Sequence, residues 1–163
     1  MGFFDKVKHF AGGHGVKARI TEIERQDPGS VQFPLTDSVM KFNITVEGEK
    51  EATVLAHDFE VWIERTTQGS ERIVQVASDR HDASTDIIGA DIKWPYALAP
   101  GRPITDGCCI GDVDLAAALK KMDVSDPTQA LNSPDYRFFV KFVADVKGSP
   151  MDAEATADFT VTA

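Results

Sequence analysis

From residue 16 onward, apolar and polar side chains alternate along the chain, the mark of strands with one face on a core. Val16, Ala18 and Ile20 share one face before the phase shifts to Ile23, as in an edge strand carrying a bulge, and the strand closes at the Asp27-Pro28-Gly29 turn. Ser38 to Glu47 places Met40, Phe42, Ile44 and Val46 inward. The Gly48-Glu49 turn predicts a hairpin into a long strand from about Glu51 to Arg65, in which Leu55, Phe59, Val61 and Ile63 share a face and Gln68-Gly69 closes the far end. Ile73 to Ala77 reads as a shorter strand and the polar run Ser78 to Asp86 as loop. Ile88 to Leu98 holds another strand, bent or at an edge because Pro95 cannot donate to a ladder.

The strongest pattern lies near the C-terminus. Tyr136, Phe138, Val140, Phe142, Ala144 and Val146 alternate with polar residues, and Phe139 and Val143 make the segment nearly apolar on both faces, as in a central strand. After Gly148-Ser149-Pro150, Ala153, Ala155, Ala157, Phe159 and Val161 face one way in a closing hairpin partner.

Two segments follow a helical period. Asp112 to Met122 has Asp112 or Asp114 as cap, Leu115, Leu119 and Met122 on one face, and Lys120 and Lys121 at the C-terminal end, which predicts a short helix inside a long loop. At the N-terminus Phe3, Phe4, Val7, Phe10 and Ala11 fall within an arc of about 120°, predicting a small amphipathic helix ended by Gly12-Gly13. The expected organisation is residues 1–15 as helix and glycine hinge, and 16–163 as one all-β antiparallel sandwich of about seven or eight strands. A closed barrel stays open as an alternative.

Hydrophobic residues at 42% and charged residues at 26% are those of a globular chain. Net charge is −9, yet residues 1 to 19 hold Lys6, Lys8, Lys17 and Arg19 against Asp5 alone, so that +3 there leaves −12 on the remainder. An acidic body with no basic cluster argues against nucleic acid as a partner. No apolar run approaches the length of a membrane span and no signal peptide is evident, so a cytoplasmic location is expected. The cysteines, Cys108 and Cys109, are adjacent, suit a reducing compartment and read as small hydrophobes.

Candidate chemistry is sparse. His9, His14, His57 and His81 form no ligand pair at metal spacing, so neither a metal nor another cofactor is expected. His57 lies in the apolar phase of its strand with Phe59 and reads as a core or edge histidine bonded to backbone; an enzyme using it as a base with a neighbouring carboxylate is a competing reading. Asp106, Asp112 and Asp114 lack the spacing of a calcium loop and read as caps and turns. Gly12-Gly13-His14-Gly15 lacks the lysine of a phosphate loop and reads as a hinge. The phenylalanines of the N-terminal segment need a cover. The chain's own sandwich, a partner or second copy, and a membrane surface contacted weakly through Lys6 and Lys8 all supply one. Lys6 stands where a myristoylation signal needs Ser or Thr.

Four stretches together are similar to the N-terminal half of arrestin-fold proteins, and most closely to bacterial sporulation-control proteins of that fold. They are the N-terminal Gly-Phe-Phe-Asp-Lys, the Asp27-Pro28-Gly29 turn, Trp94-Pro95-Tyr96-Ala97-Leu98-Ala99-Pro100 followed by Pro103-Ile104-Thr105, and Tyr136 to Val146 running into Asp152-Ala153. The resemblance implies an immunoglobulin-like sandwich and a non-enzymatic adaptor or regulator without a cofactor. This chain holds one sandwich where the family has two, and its 106–133 segment is longer than the family's. The expected function is therefore a protein-interaction module binding a partner or itself through an edge strand or the N-terminal residues Phe3, Phe4, Lys6, Val7, Lys8 and Phe10. The alternative is a small-molecule or carbohydrate-binding sandwich using Trp62, Trp94 and the 78–86 and 101–133 loops.

Overall fold

The computed structural model describes residues 8–9, 15–25, 32–36, 38–85 and 91–163. Its strands are β1 (Lys8–His9), β2 (Val16–Arg25), β3 (Gln32–Pro34), β4 (Ser38–Gly48), β5 (Ala52–Thr67), β6 (Ser70–Asp82), β7 (Tyr96–Leu98), β8 (Ile104–Val113), β9 (Tyr136–Val146), β10 (Ala153–Asp158) and β11 (Thr160–Thr162). A helix α1 (Leu115–Lys121) and a 3-10 turn (Pro127–Ala130) follow β8. One sheet runs β1-β10-β9-β5-β6, with β7 also on β5; a second runs β2-β4-β8; β3 and β11 form a short parallel pair. The two large sheets enclose the core, where Phe42 of one meets Phe59 of the other edge-on at 5.1 Å between ring centroids and Phe59 meets Phe142 at 5.3 Å. Each such buried ring contributes about 1.5–3 kcal/mol through the apolar area it removes from water.

Period-two patterning places most of these strands. Met40, Phe42, Ile44 and Val46 are fully buried. Pairing of β2 with β4 slips between Ile20 and Glu22, leaving Thr21 as the extra residue that returns Ile23 to the core, and β2 is an edge strand as the phase shift requires. β9 lies between β10 and β5, which gives its two apolar faces a purpose. Phe139, on the face away from the core, is roofed by the Arg137 guanidinium at 4.3 Å. Asp114 caps α1, accepting from the Ala117 amide at 2.8 Å.

Other expectations change. The Gly48-Glu49 turn makes no hairpin, because β4 and β5 belong to opposite sheets. Alternation says which face of a strand is inward, and two strands that share a core satisfy it equally well side by side or face to face. Leu55 sits on a bulge between Val54 and Ala56 and is half-buried, so it leaves the face of Phe59. β6 continues through Ser78, Asp79 and Arg80 to Asp82, because an edge strand with a hydrated face carries polar residues and still completes the ladder of its long neighbour. Of the strand expected over Ile88–Leu98, residues 88–90 lie outside the described residues, and among 91–98 the strand is Tyr96–Leu98.

The largest change is β8, which occupies residues 104–113 of the expected 101–133 loop. Its inward positions are Ile104, Asp106, Cys108 and Ile110, and the aspartate among them, with Gly107 and Gly111 between, hides the alternation. Gly107 faces Asn43 across the ladder so closely that a side chain there would strike the Asn43 amide oxygen. The N-terminal helix expected over Phe3 to Ala11 lies outside the described residues, except that Lys8 and His9 are extended and pair with Thr156 and Ala155 of β10.

Gln68 and Gly69, at φ 43° and 81°, form a two-residue turn joining β5 to β6, with Thr67 paired to Ser70. Both central residues are left-handed, a conformation that favours Asn-Gly over Gln-Gly. Gln68→Asn is expected to raise stability by about 0.5–1 kcal/mol, read as a higher urea midpoint at unchanged m-value.

Candidate functional site

Four residues with polar side chains converge in the core where the two sheets meet. His57 on β5 and His81 on β6 are directly paired across the ladder, and their side chains are 0% and 5–6% exposed. β7 continues along the same side of β5 beyond the end of β6, which brings in Tyr96. From the opposite sheet Asp106 on β8 projects between them, 10% exposed. Its Oδ2 lies 2.7 Å from His57 Nδ1 and 3.0 Å from His81 Nδ1, while Oδ1 accepts the Gly107 amide at 2.8 Å. His57 Nε2 lies 2.7 Å from the Tyr96 hydroxyl, and His81 Nε2 lies 3.4 Å from Asp79 Oδ2.

These contacts fix the protons. Burial alone would raise the Asp106 carboxyl, but the bonds from His57 and His81 bring it down to about 2, so it is ionised and only accepts. Both Nδ1 atoms therefore donate to it. His57 is then a neutral ring whose Nε2 accepts from the Tyr96 hydroxyl. Burial lowers His57 below its ordinary 6.5 against the opposing pull of Asp106, and burial with the Asp106 charge raises Tyr96. Burial would also lower His81, but bonds and charge from Asp106 and Asp79 outweigh it and hold that ring above 6.5. Aromatic rings wall the cluster: Trp94 and Phe142 approach His57 edge-on at 4.7 and 4.9 Å, and Phe59 approaches His81 at 4.8 Å.

Hydroxyl, imidazole and carboxylate stand here in the order of a nucleophile, its base and the group that orients the base. Tyr96 has none of the activation such a nucleophile requires, since it is buried and its pKa moves away from neutrality. Two surface clefts, about 390 Å³ beside Tyr136–Phe138 and Asp158–Val161 and about 300 Å³ beside Glu51–Thr53 and Ala97–Ala99, are lined by none of the four residues. Among the described residues no three His, Cys, Asp or Glu side chains are grouped to hold a metal. What the arrangement does is satisfy buried polar groups with one another and tie β8 of one sheet to β5 and β6 of the other.

His57 is thus the core histidine expected, but its partners are side chains of two other strands rather than backbone. His81 was expected in a loop, and Asp106 as a cap or turn residue. Tyr96 carried no expectation beyond its strand. The one available signal was His57 in the inward phase, which calls for a buried polar partner. Trp62 lies on the outer face of β5, half-buried, with its indole N–H donating to Glu60 at 2.7 Å. Trp94 packs on His57 and Tyr96, so the two tryptophans do not form one platform. Phe3, Phe4, Lys6, Val7 and Phe10, and the side chain of Lys8, lie outside the described residues. Cys108 is buried, whereas Cys109 is exposed, against expectation, because it points to the outer face of β8.

No family model matches the chain, and no curated protein matches it in sequence. Among solved structures it is similar to Spo0M, a sporulation control protein from Bacillus subtilis, with a TM-score of 0.57 and 12% identity over 91% of this chain and 50% of that one. The arrangement of its strands is therefore that of the arrestin-like sporulation-control fold. The chain spans about half the length of Spo0M. It is less similar to the C-terminal domain of wzt (TM-score 0.47, 13% identity, 96% and 78% of the two chains) and to a protein from Archaeoglobus fulgidus (0.40, 12%, 91% and 96%).

The two histidines respond to pH with opposite sign. His81, raised, contributes stability that is complete below 6.5 and is lost as pH rises through its folded value. His57, lowered, contributes stability that is complete above 6.5 and is lost as pH falls. Asp106→Asn removes the charge both rings donate to. It is expected to cost about 3 kcal/mol in urea denaturation and to move the His81 titration, followed by ring-proton NMR, downward.

Proposed function

We propose that this chain is a non-enzymatic, arrestin-like interaction module with an immunoglobulin-like sandwich, acting as a regulatory adaptor in a reducing compartment such as the bacterial cytoplasm. Its docking surface is the free edge of β8, where an extended segment of a protein partner adds as a further strand. The contrast between the long sheet edges supports this choice. β2 carries Lys17, Arg19, Glu22 and Glu24 together with its bulge at Thr21. β6 carries Glu71, Arg72, Asp79 and Arg80, with a bulge at Val76. Charge and irregularity of this kind block edge pairing. β8 keeps one unbroken register with β4 over Ile104–Ile110, and the single charge in that run, Asp106, points inward and is bonded in the core. Its outer-face residues in that run are Thr105, Gly107 and Cys109, followed by Gly111, all small and uncharged. Among the described residues β8 pairs with β4 alone.

Main-chain bonds would supply the affinity of such docking, and the small side chains of β8 would accept a partner strand without steric selection on that face. The non-enzymatic reading draws support from the burial of the Tyr96 hydroxyl, which leaves the one relay-like arrangement without an accessible end.

Thr105→Lys with Cys109→Lys places two charges on the exposed face of β8 and leaves the core untouched. Selection against a displayed library of short extended peptides is expected to yield binders whose affinity falls at least about tenfold in this variant and is unchanged when residues 1–12 are deleted. Equal binding by the double variant, at wild-type thermal stability, overturns the assignment to β8; loss on the deletion alone moves the site to the N-terminal segment.

A further inference from the structure

His81 lies on an edge strand of its sheet, and it reaches a carboxylate on an edge strand of the other. The remaining links are different in kind. His57 holds Asp106 from the centre of the first sheet, on a strand paired on both sides, and its bonds are complete with a neutral ring. His81 has two carboxylates at its two nitrogens, Asp106 Oδ2 at 3.0 Å and Asp79 Oδ2 at 3.4 Å. A neutral ring has one N–H and so can donate to one of them only, turning a lone pair toward the other. A charged ring donates to both.

We propose that His81 is a proton-operated latch between β6 and β8, tight while its ring is charged and bridges Asp106 and Asp79, and loosened when the ring is neutral, keeping only the uncharged Nδ1–H bond to Asp106 and losing the one to Asp79. The groups facing the ring are few. β8 contributes Asp106 and, one inward position further on, Cys108; β5 contributes His57 and the Phe59 ring; β6 itself contributes Asp79. The neighbouring carboxylates Asp58 and Asp82 are turned to Arg80, which bonds Asp58 at 2.7 Å and Asp82 at 2.9 Å, and so they do not compete for His81. The electrostatic balance at His81 agrees with the geometry, since the two carboxylates overcome the effect of burial and favour the charged ring.

Loosening leaves the body of the fold in place, because Asp106 keeps its bonds from His57 and Gly107. What loosens is the corner where the outer edges of β6 and β8 lie together. The bearing of the latch on docking rests on the β8 assignment above: the edge offered to a partner would be held more tightly in mild acid and more loosely in mild base. The latch itself stands without that assignment, and its test involves no partner.

The experiment is amide hydrogen exchange on the full chain at about pH 5.5 and about pH 8.5, each rate divided by its intrinsic value. His81 is titrated in parallel by ring-proton NMR. Opening of the β6 amides around His81 and the β8 amides from Thr105 to Cys109 is expected to rise severalfold across that range. Its midpoint should coincide with the His81 titration, while the β4 and β9 amides stay unchanged. In His81→Gln, which donates but cannot take up a proton, the step should vanish. A flat opening profile in the wild-type chain, a step that survives in His81→Gln, or a His81 ring that is neutral throughout the range overturns the proposal. Because the wild-type profile and titration need no variant, poor folding of His81→Gln would not leave it undecided. Failure of peptide binding at β8 with an intact pH step would sink the docking assignment and leave the latch standing.

Discussion

One carboxylate holds the two sheets in register at their open side. Asp106 enters the core from β8 and is kept ionised there by two imidazole donors from β5 and β6 and a backbone amide of its own strand. Burying a charge is costly unless it is paired and bonded, so the position of β8 relative to β5 and β6 is set by the need to keep all three donors in reach. Apolar packing between the sheets is non-directional and would tolerate sliding. The cluster does not, because imidazole-to-carboxylate bonds weaken steeply with misalignment. Other details follow from it. Gly107 sits beside Asp106, with its amide on Oδ1 and no side chain to strike Asn43. Tyr96 supplies the proton that the second nitrogen of His57 requires.

The sequence carried the scaffold and concealed this centre, for a common reason. Strands such as β4 from Met40 onward and β9 were legible because their inward positions are apolar, so their two-residue period stands out. The bulge in β2 was legible because a one-residue insertion inverts that period, and Ile20 followed by Ile23 records the inversion. β8 was hidden by the residue that matters most in it, since an aspartate at an inward position breaks the alternation by which inward positions are recognised. His81 was lost in the same way, inside the polar run Ser78 to Asp82 of an edge strand. His57 alone kept its phase. A single sequence gives the inward direction of each strand but not the strand opposite, so the meeting of residues 57, 81, 96 and 106 could not be read from it. The mistaken hairpin between β4 and β5 has the same origin.

The similarity to Spo0M at 12% identity is what such a scaffold produces, since the strand arrangement depends on the period of apolar residues and not on their identity. It fixes the fold alone. The edges of this fold differ in chemistry, with charge and bulges on β2 and β6 and, over Ile104–Ile110 of β8, a regular run whose outward residues are uncharged. That difference distinguishes one side of the molecule from the other.

The position of β9 carries a consequence for how the chain is made. β5 is flanked on one side by β9, whose residues, such as Phe142 opposite Phe59, are synthesised about eighty positions later. Until then β5 emerging from a ribosome has only β6 and the short β7 as ladder partners. Chaperone dependence during translation, and misassembly when synthesis stalls short of β9, are the vulnerabilities of such an order.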